Sequence, residues 1–208
     1  MSFKVEDIED PSRFRLLKKV AYADLLGFVL EHLGKRSSVI VIFWTSCAFF
    51  LMIAIYIRIS IAGLYPHSQI LLHSFLGFIV YPVLSIPIHE GLHVIPYYIS
   101  GARDIRAGMD LKQYLFYVTA HRYVANSREF RIVAAFPYQI ISITVLFLIF
   151  FLPPVWKWSF SLFLFTHATM CAGDFSLLNF YHLNKDKDIY TWDDADKKEA
   201  YFYEKMPE

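Results

Sequence analysis

Cysteine is almost absent. Cys47 and Cys171 are the only two, and both lie in apolar runs, so neither a disulfide framework nor a cysteine-ligated zinc site can be assembled from them. They read as small buried hydrophobes. Charge is also sparse: Asp, Glu, Lys and Arg make up 19% of the 208 residues, against 56% hydrophobic and 18% aromatic, and the mean hydropathy is +0.39. A soluble domain carries about 25% charged residues, so this composition points to an integral membrane protein. The net charge of +1 argues neither for nor against a charged partner; no nucleic-acid partner is expected. A cleavable leader is not expected either, because the first long apolar run begins near residue 39, after a charged stretch.

What is present is apolar length. Four runs, Val39 to Ile57, Ile70 to Ile99, Ile132 to Leu152 and Val155 to Tyr181, approach or exceed the roughly 20 residues that cross a bilayer. The expected architecture is therefore an all-α polytopic membrane protein of about four transmembrane helices. The 20 basic residues sort between the runs as seven before the first, one, six, one and five in the tail. By the positive-inside tendency both termini and the 100–131 segment face the cytoplasm, in what would be a bacterial inner membrane.

Three parts follow: a cytoplasmic amphipathic segment 1–38, a four-span domain 39–182 with a cytoplasmic insert 100–131, and a charged cytoplasmic tail 183–208. In the first, Asp10 and Pro11 predict a helix start, and Phe14, Leu17, Ala21, Leu25 and Phe28 recur at helical spacing beside Arg13, Arg15, Lys18 and Lys19. In the insert, "DLKQYLFYVTAHRYV" has strand composition and predicts a β-hairpin. The tail mixes both charge signs densely, predicting a solvated segment with one short helix.

Within the second run, "SIPIHEGLHVIPYY" places His89, Glu90 and His93 as H-E-x-x-H on a predicted helix. Histidines at i and i+4 share a face and can share a zinc ion, and the glutamate beside them can activate its water. Ionisable groups at membrane depth are costly and mark function. A catalytic zinc takes three protein ligands. Asp174 is the only carboxylate between Ile132 and Leu183. At 1.5 Å per residue it and His89 both lie roughly 15 Å from the cytoplasmic ends of their helices. His167, His121 and Asp104 are the competing third ligands, and His167, Asn179 and Arg122 the candidates for stabilising an oxyanion. Pro82, Pro87 and Pro96 around the motif would bend the helix where backbone must border protein or a water-filled cavity.

"HEGLH", the segment "AHRYVANSREFRIVAAFPYQII" and "AGD" together resemble the zincin peptidases of bacterial membranes, a group akin to site-2 proteases, over roughly residues 70 to 182. The resemblance implies a zinc cofactor held by His89, His93 and Asp174, with Glu90 as general base, and a membrane-protein or peptide substrate. It leaves the oligomeric state open. Two other readings of the same residues are a non-catalytic metal-binding membrane scaffold or chaperone and a divalent-metal transporter.

Overall fold

The computed structural model describes residues 3–110 and 115–207. In chain order the elements are α1 (Val5–Ile8), β1 (Phe14–Ala21), α2 (Leu25–Leu33), α3 (Ser38–Ser60), α4 (His67–Phe75), α5 (Tyr81–Ser100), β2 (Ile105–Asp110), β3 (Leu115–Ala120), β4 (Ala125–Asn126), α6 (Ser127–Phe151), α7 (Pro154–Met170), α8 (Ala172–Leu183), β5 (Ile189–Asp194) and β6 (Glu199–Lys205). Helix dominates, and a small β region accompanies it.

Three helical stretches are long and apolar enough to cross a membrane: Ser38–Ser60, His67–Ser100 and Ser127–Phe151. The second is continuous because a π turn at Leu76–Val80 joins α4 to α5. That turn allows a close packing. A Cβ on Gly77 would stand 2.3 Å from the Ser159 carbonyl oxygen of α7, so only glycine lets the two backbones meet there.

The fourth expected run, Val155 to Tyr181, is not one helix. It divides at Cys171 into α7, of 17 residues, and α8, of 12. The backbone bonds from Cys171 N–H to His167 O (3.2 Å) and from Phe175 N–H to Cys171 O (3.0 Å) flank the junction, where Cys171 leaves helical backbone with ψ at 11°. Gly173, a poor helix former, follows two residues later. Asp174 thus sits in the first turn of α8.

Two of the long helices begin at a side-chain cap. Ser37 accepts the Ile40 N–H at the head of α3 (3.2 Å). Asn126 and Glu129 form a reciprocal capping box on α6: Asn126 accepts from the Arg128 and Glu129 N–H groups, and Glu129 accepts from the Asn126 N–H. Phe43, Cys47 and Phe50 of α3 pack with Ile141 and Val145 of α6 and with Phe163 and Leu164 of α7 in the helical core. Trp44, Met52, Tyr56 and Ile59 on α3 stay exposed, as expected of a helix that is apolar all round.

Both ends of the chain differ from expectation. Phe14–Ala21 is a strand, and the expected helix is confined to Leu25–Leu33. The tail is likewise two strands. Each supplies the other's reason. β1 pairs antiparallel with β6, Lys19 meets Glu199 at 2.7 Å and Arg15 meets Glu204 at 2.6 Å across the pair, and the sheet order is β1-β6-β5-β4. The local pattern around Phe14 is compatible with a helix; a partner some 180 residues away decides for the strand. The expected aromatic residues of the tail become its core, with Trp192 stacked on Tyr201 at 4.5 Å and packed beside Val5, Ile8 and Phe14. In the insert, β2 and β3 do form an antiparallel pair, in register Ile105 to Ala120.

Candidate metal centre

α5 presents His89 and His93 one turn apart, and α8 brings Asp174 toward both. His89 Nε2 lies 3.2 Å from Asp174 Oδ2, and His93 Nε2 lies 3.5 Å from Asp174 Oδ1. The other nitrogen of each ring is engaged elsewhere. His93 Nδ1 is 2.9 Å from the Val133 carbonyl oxygen on α6. A carbonyl can only accept, so a neutral His93 carries its proton on Nδ1 and turns the Nε2 lone pair toward Asp174. Lone pairs facing each other repel unless a cation stands between them. His89 Nδ1 is 3.2 Å from His167 Nε2, which leaves its Nε2 available in the same way when Nδ1 donates.

These separations suit a zinc ion. Two ligands each roughly 2.0–2.1 Å from one tetrahedral zinc lie about 3.3 Å apart, and the two observed values bracket that figure. Glu90 joins the histidines: ligand atoms of His89, Glu90 and His93 lie within 4.8 Å of one another. Among the described residues no lysine or arginine forms an ion pair with Glu90 or Asp174. The donors are unspent by protein charge.

A second set shares His89 with His167 and Cys171. Here His167 faces His89 through Nε2, and its ring nitrogens stand 3.8 and 4.0 Å from the buried Cys171 sulfur. His167 thus meets the cluster at His89. Its value as an orienting partner is invisible to spacing rules, and so is that of the Val133 carbonyl, which no side-chain motif encodes.

The other competing residues are committed elsewhere. Asp104 and Asp196 both bind Arg106, His121 accepts the Ala195 N–H through Nδ1 at 3.1 Å, and Arg122 pairs with Glu6 at 2.6 Å. Asn179 is buried and donates to the His32 and Lys35 carbonyl oxygens at 2.6 and 3.0 Å. It ties α8 to the end of α2. Of the three expected oxyanion candidates, only His167 lies beside the cluster.

Three cavities meet at the site. One of about 230 Å³ is lined by His89, Glu90, His93 and Asp174 together with Phe116 and Val118 of β3. One of about 150 Å³ reaches from Glu90 to His167. The largest, of about 510 Å³, runs between Glu90 and Gly91 of α5 and Gly108 and Val118 of the strand pair. Space for water and for an extended chain thus adjoins the polar groups.

A family described as "Putative zincin peptidase" matches residues 82–190, just over half of the chain. The chain belongs to that family. The matched span holds every group of the cluster, from α5 through the strand pair, α6 and α7 to α8. No curated protein and no solved structure matches the chain.

Proposed function

We propose that this protein is a membrane-embedded zinc metalloprotease of the site-2 kind, in which His89, His93 and Asp174 hold zinc and Glu90 is the general base. The observation that carries the reading is the convergence of both Nε2 atoms on the two oxygens of Asp174 while Val133 and His167 occupy the Nδ1 atoms. Zinc in such a site acidifies its bound water and polarises the scissile carbonyl.

The residues of the chain do the rest. Glu90, within reach of the histidines and open to all three cavities, takes the proton of the attacking water and hands it to the leaving amine. His93 is held by the Val133 carbonyl so that its lone pair stays on the metal side. β3 has no strand partner on its edge away from β2 among the described residues, and its Val118 N–H faces the Glu90 carboxylate. An extended substrate can pair with that edge, which exposes a peptide bond that a helix would shield. Three helices long and apolar enough to cross a membrane support a setting in the lipid bilayer; in this reading α7 and α8 together make a fourth crossing, the membrane is a bacterial inner membrane and both termini are cytoplasmic.

The test separates metal from catalysis. Glu90→Gln should keep the zinc of the wild type and abolish cleavage of a membrane substrate. Cleavage that survives this change, or purified protein without zinc, would sink the proposal. Full cellular function of the Glu90→Gln protein would favour the non-catalytic scaffold.

A further inference from the structure

Beside the metal centre lies a cavity of about 110 Å³ that no step above uses. It shares five wall residues, Leu25, Tyr117, Val118, Phe130 and Leu177, with the cavity that holds His89 and Glu90. Tyr117 sits at their boundary, its ring edge-on to Tyr22 at 4.7 Å and over Gly108, where a Cβ would collide with it. The remaining walls are apolar, including Val20, Phe28 and Phe202, except at one end. There the half-buried carboxylate of Asp193 faces the space.

That carboxylate is poorly matched. Tyr22 O–H approaches Asp193 Oδ1 at 3.4 Å, at the long limit of a hydrogen bond. The buried Thr119 hydroxyl also adjoins this carboxylate. Among the described residues no lysine, arginine or histidine forms an ion pair with it; the nearby Arg122 sends its side chain to Glu6 and touches Asp193 only through the backbone. A partly buried carboxylate with no cation paired to it is costly, and the mostly apolar cavity it faces leaves room for a side chain that would bring one. Both adjoin Tyr117, Val118 and Thr119 of β3, so a chain bound along that strand would lie next to them.

We propose that this cavity is a substrate subsite in which Asp193 receives the cationic end of a lysine or arginine close to the scissile bond. The proposal rests on the peptidase reading for the word substrate. The shape fits the ligand: apolar walls take the methylene stem and the terminal carboxylate takes the charge. Side chains of an extended peptide alternate in direction, so the preference belongs to one position of the bound chain.

The test uses the full-length, zinc-loaded Glu90→Gln protein in detergent as a trap for a random heptapeptide library, with retained peptides sequenced by mass spectrometry. Retained peptides should be enriched about tenfold for lysine or arginine at one position. That enrichment should vanish in Glu90→Gln/Asp193→Asn and return in part in Glu90→Gln/Asp193→Glu. On the trap itself, n-butylammonium should release the basic peptides and neutral 1-pentanol should not, which needs no change at Asp193. Equal enrichment with Asp193→Asn, no basic preference in the retained pool, or release by both additives alike would overturn the proposal. Cleavage is scored separately. Peptides that bind through Asp193 but are never cut by the wild type would refute the protease and leave the subsite standing, whereas cleavage without basic preference would refute the subsite alone.

Discussion

Among the described residues two clusters offer histidine and carboxylate groups within metal-binding distance, and one of them has donors to spare. In the sheet, His121, Asp194 and Asp196 lie within 4.8 Å of one another. Their capacity is used: Asp194 accepts the Asp196 and Lys197 N–H groups at 3.1 Å and faces Lys197 Nζ at 3.4 Å, Asp196 binds Arg106 at 2.7 Å, and His121 Nδ1 accepts the Ala195 N–H. With Nδ1 accepting, a neutral His121 turns its Nε2 proton toward Asp196, 3.5 Å away. On α5 the arrangement is reversed: the Nδ1 proton of His93 goes to a carbonyl and its Nε2 lone pair faces a carboxylate with no cation beside it. Proximity of ligand atoms does not by itself make a metal site; a metal also needs lone pairs that no protein donor has taken up.

The comparison can be broken in several places. The largest effect is expected from His93→Ala, which removes a ligand and should lower zinc affinity by more than the roughly 100-fold that loss of an outer partner causes; isothermal titration of the apoprotein measures it. His167→Ala should weaken zinc about 10- to 100-fold in the same titration, since it only orients His89. Unchanged affinity would remove His167 from the account. Gly77→Ala forces α7 off the π turn and should cost about 1–3 kcal/mol, read as a lowered Tm in detergent, with zinc affinity reduced as His167 moves while the sheet cluster is undisturbed.

The smallest effect concerns Asp193, whose carboxyl burial pushes up to about 6. Between the ordinary carboxylate value and 6 the folded protein holds a proton that the unfolded chain releases, so stability falls as pH rises through that window and stays reduced above it. Asp193→Asn removes the cost. Its Tm should exceed that of the wild type by a few degrees at pH 7.5 and converge with it near pH 4, while selection of basic peptides is lost. A Tm below the wild type at pH 7.5 would mean that the charge stabilises the fold.

The sequence locates the residues that meet around Asp174 well and the sheet poorly, for physical reasons. His89 and His93 are related by helical periodicity, and apolar length alone narrows where a carboxylate such as Asp174 can stand, so local rules reach them. The four-stranded sheet joins residue 14 to residue 205, and no local pattern specifies such a pairing. The helical spacing of Phe14, Leu17 and Ala21 is outweighed by cross-strand ion pairs and by the aromatic core around Trp192. The break at Cys171 escapes hydropathy because both sides of it are apolar. Asp193 escapes too, since in the sequence it is one of several acidic residues in a charged tail, and only folding places it beside the cavity lined by His89 and Glu90.

The most direct test of the central claim is the zinc content of purified protein, by elemental analysis, in three forms: wild type, Asp174→Ala, and the double variant His121→Ala/Asp196→Ala. The account predicts about one zinc per chain in the wild type and in the double variant, and a large loss in Asp174→Ala. Full zinc in Asp174→Ala, or loss of zinc in the double variant, would contradict it.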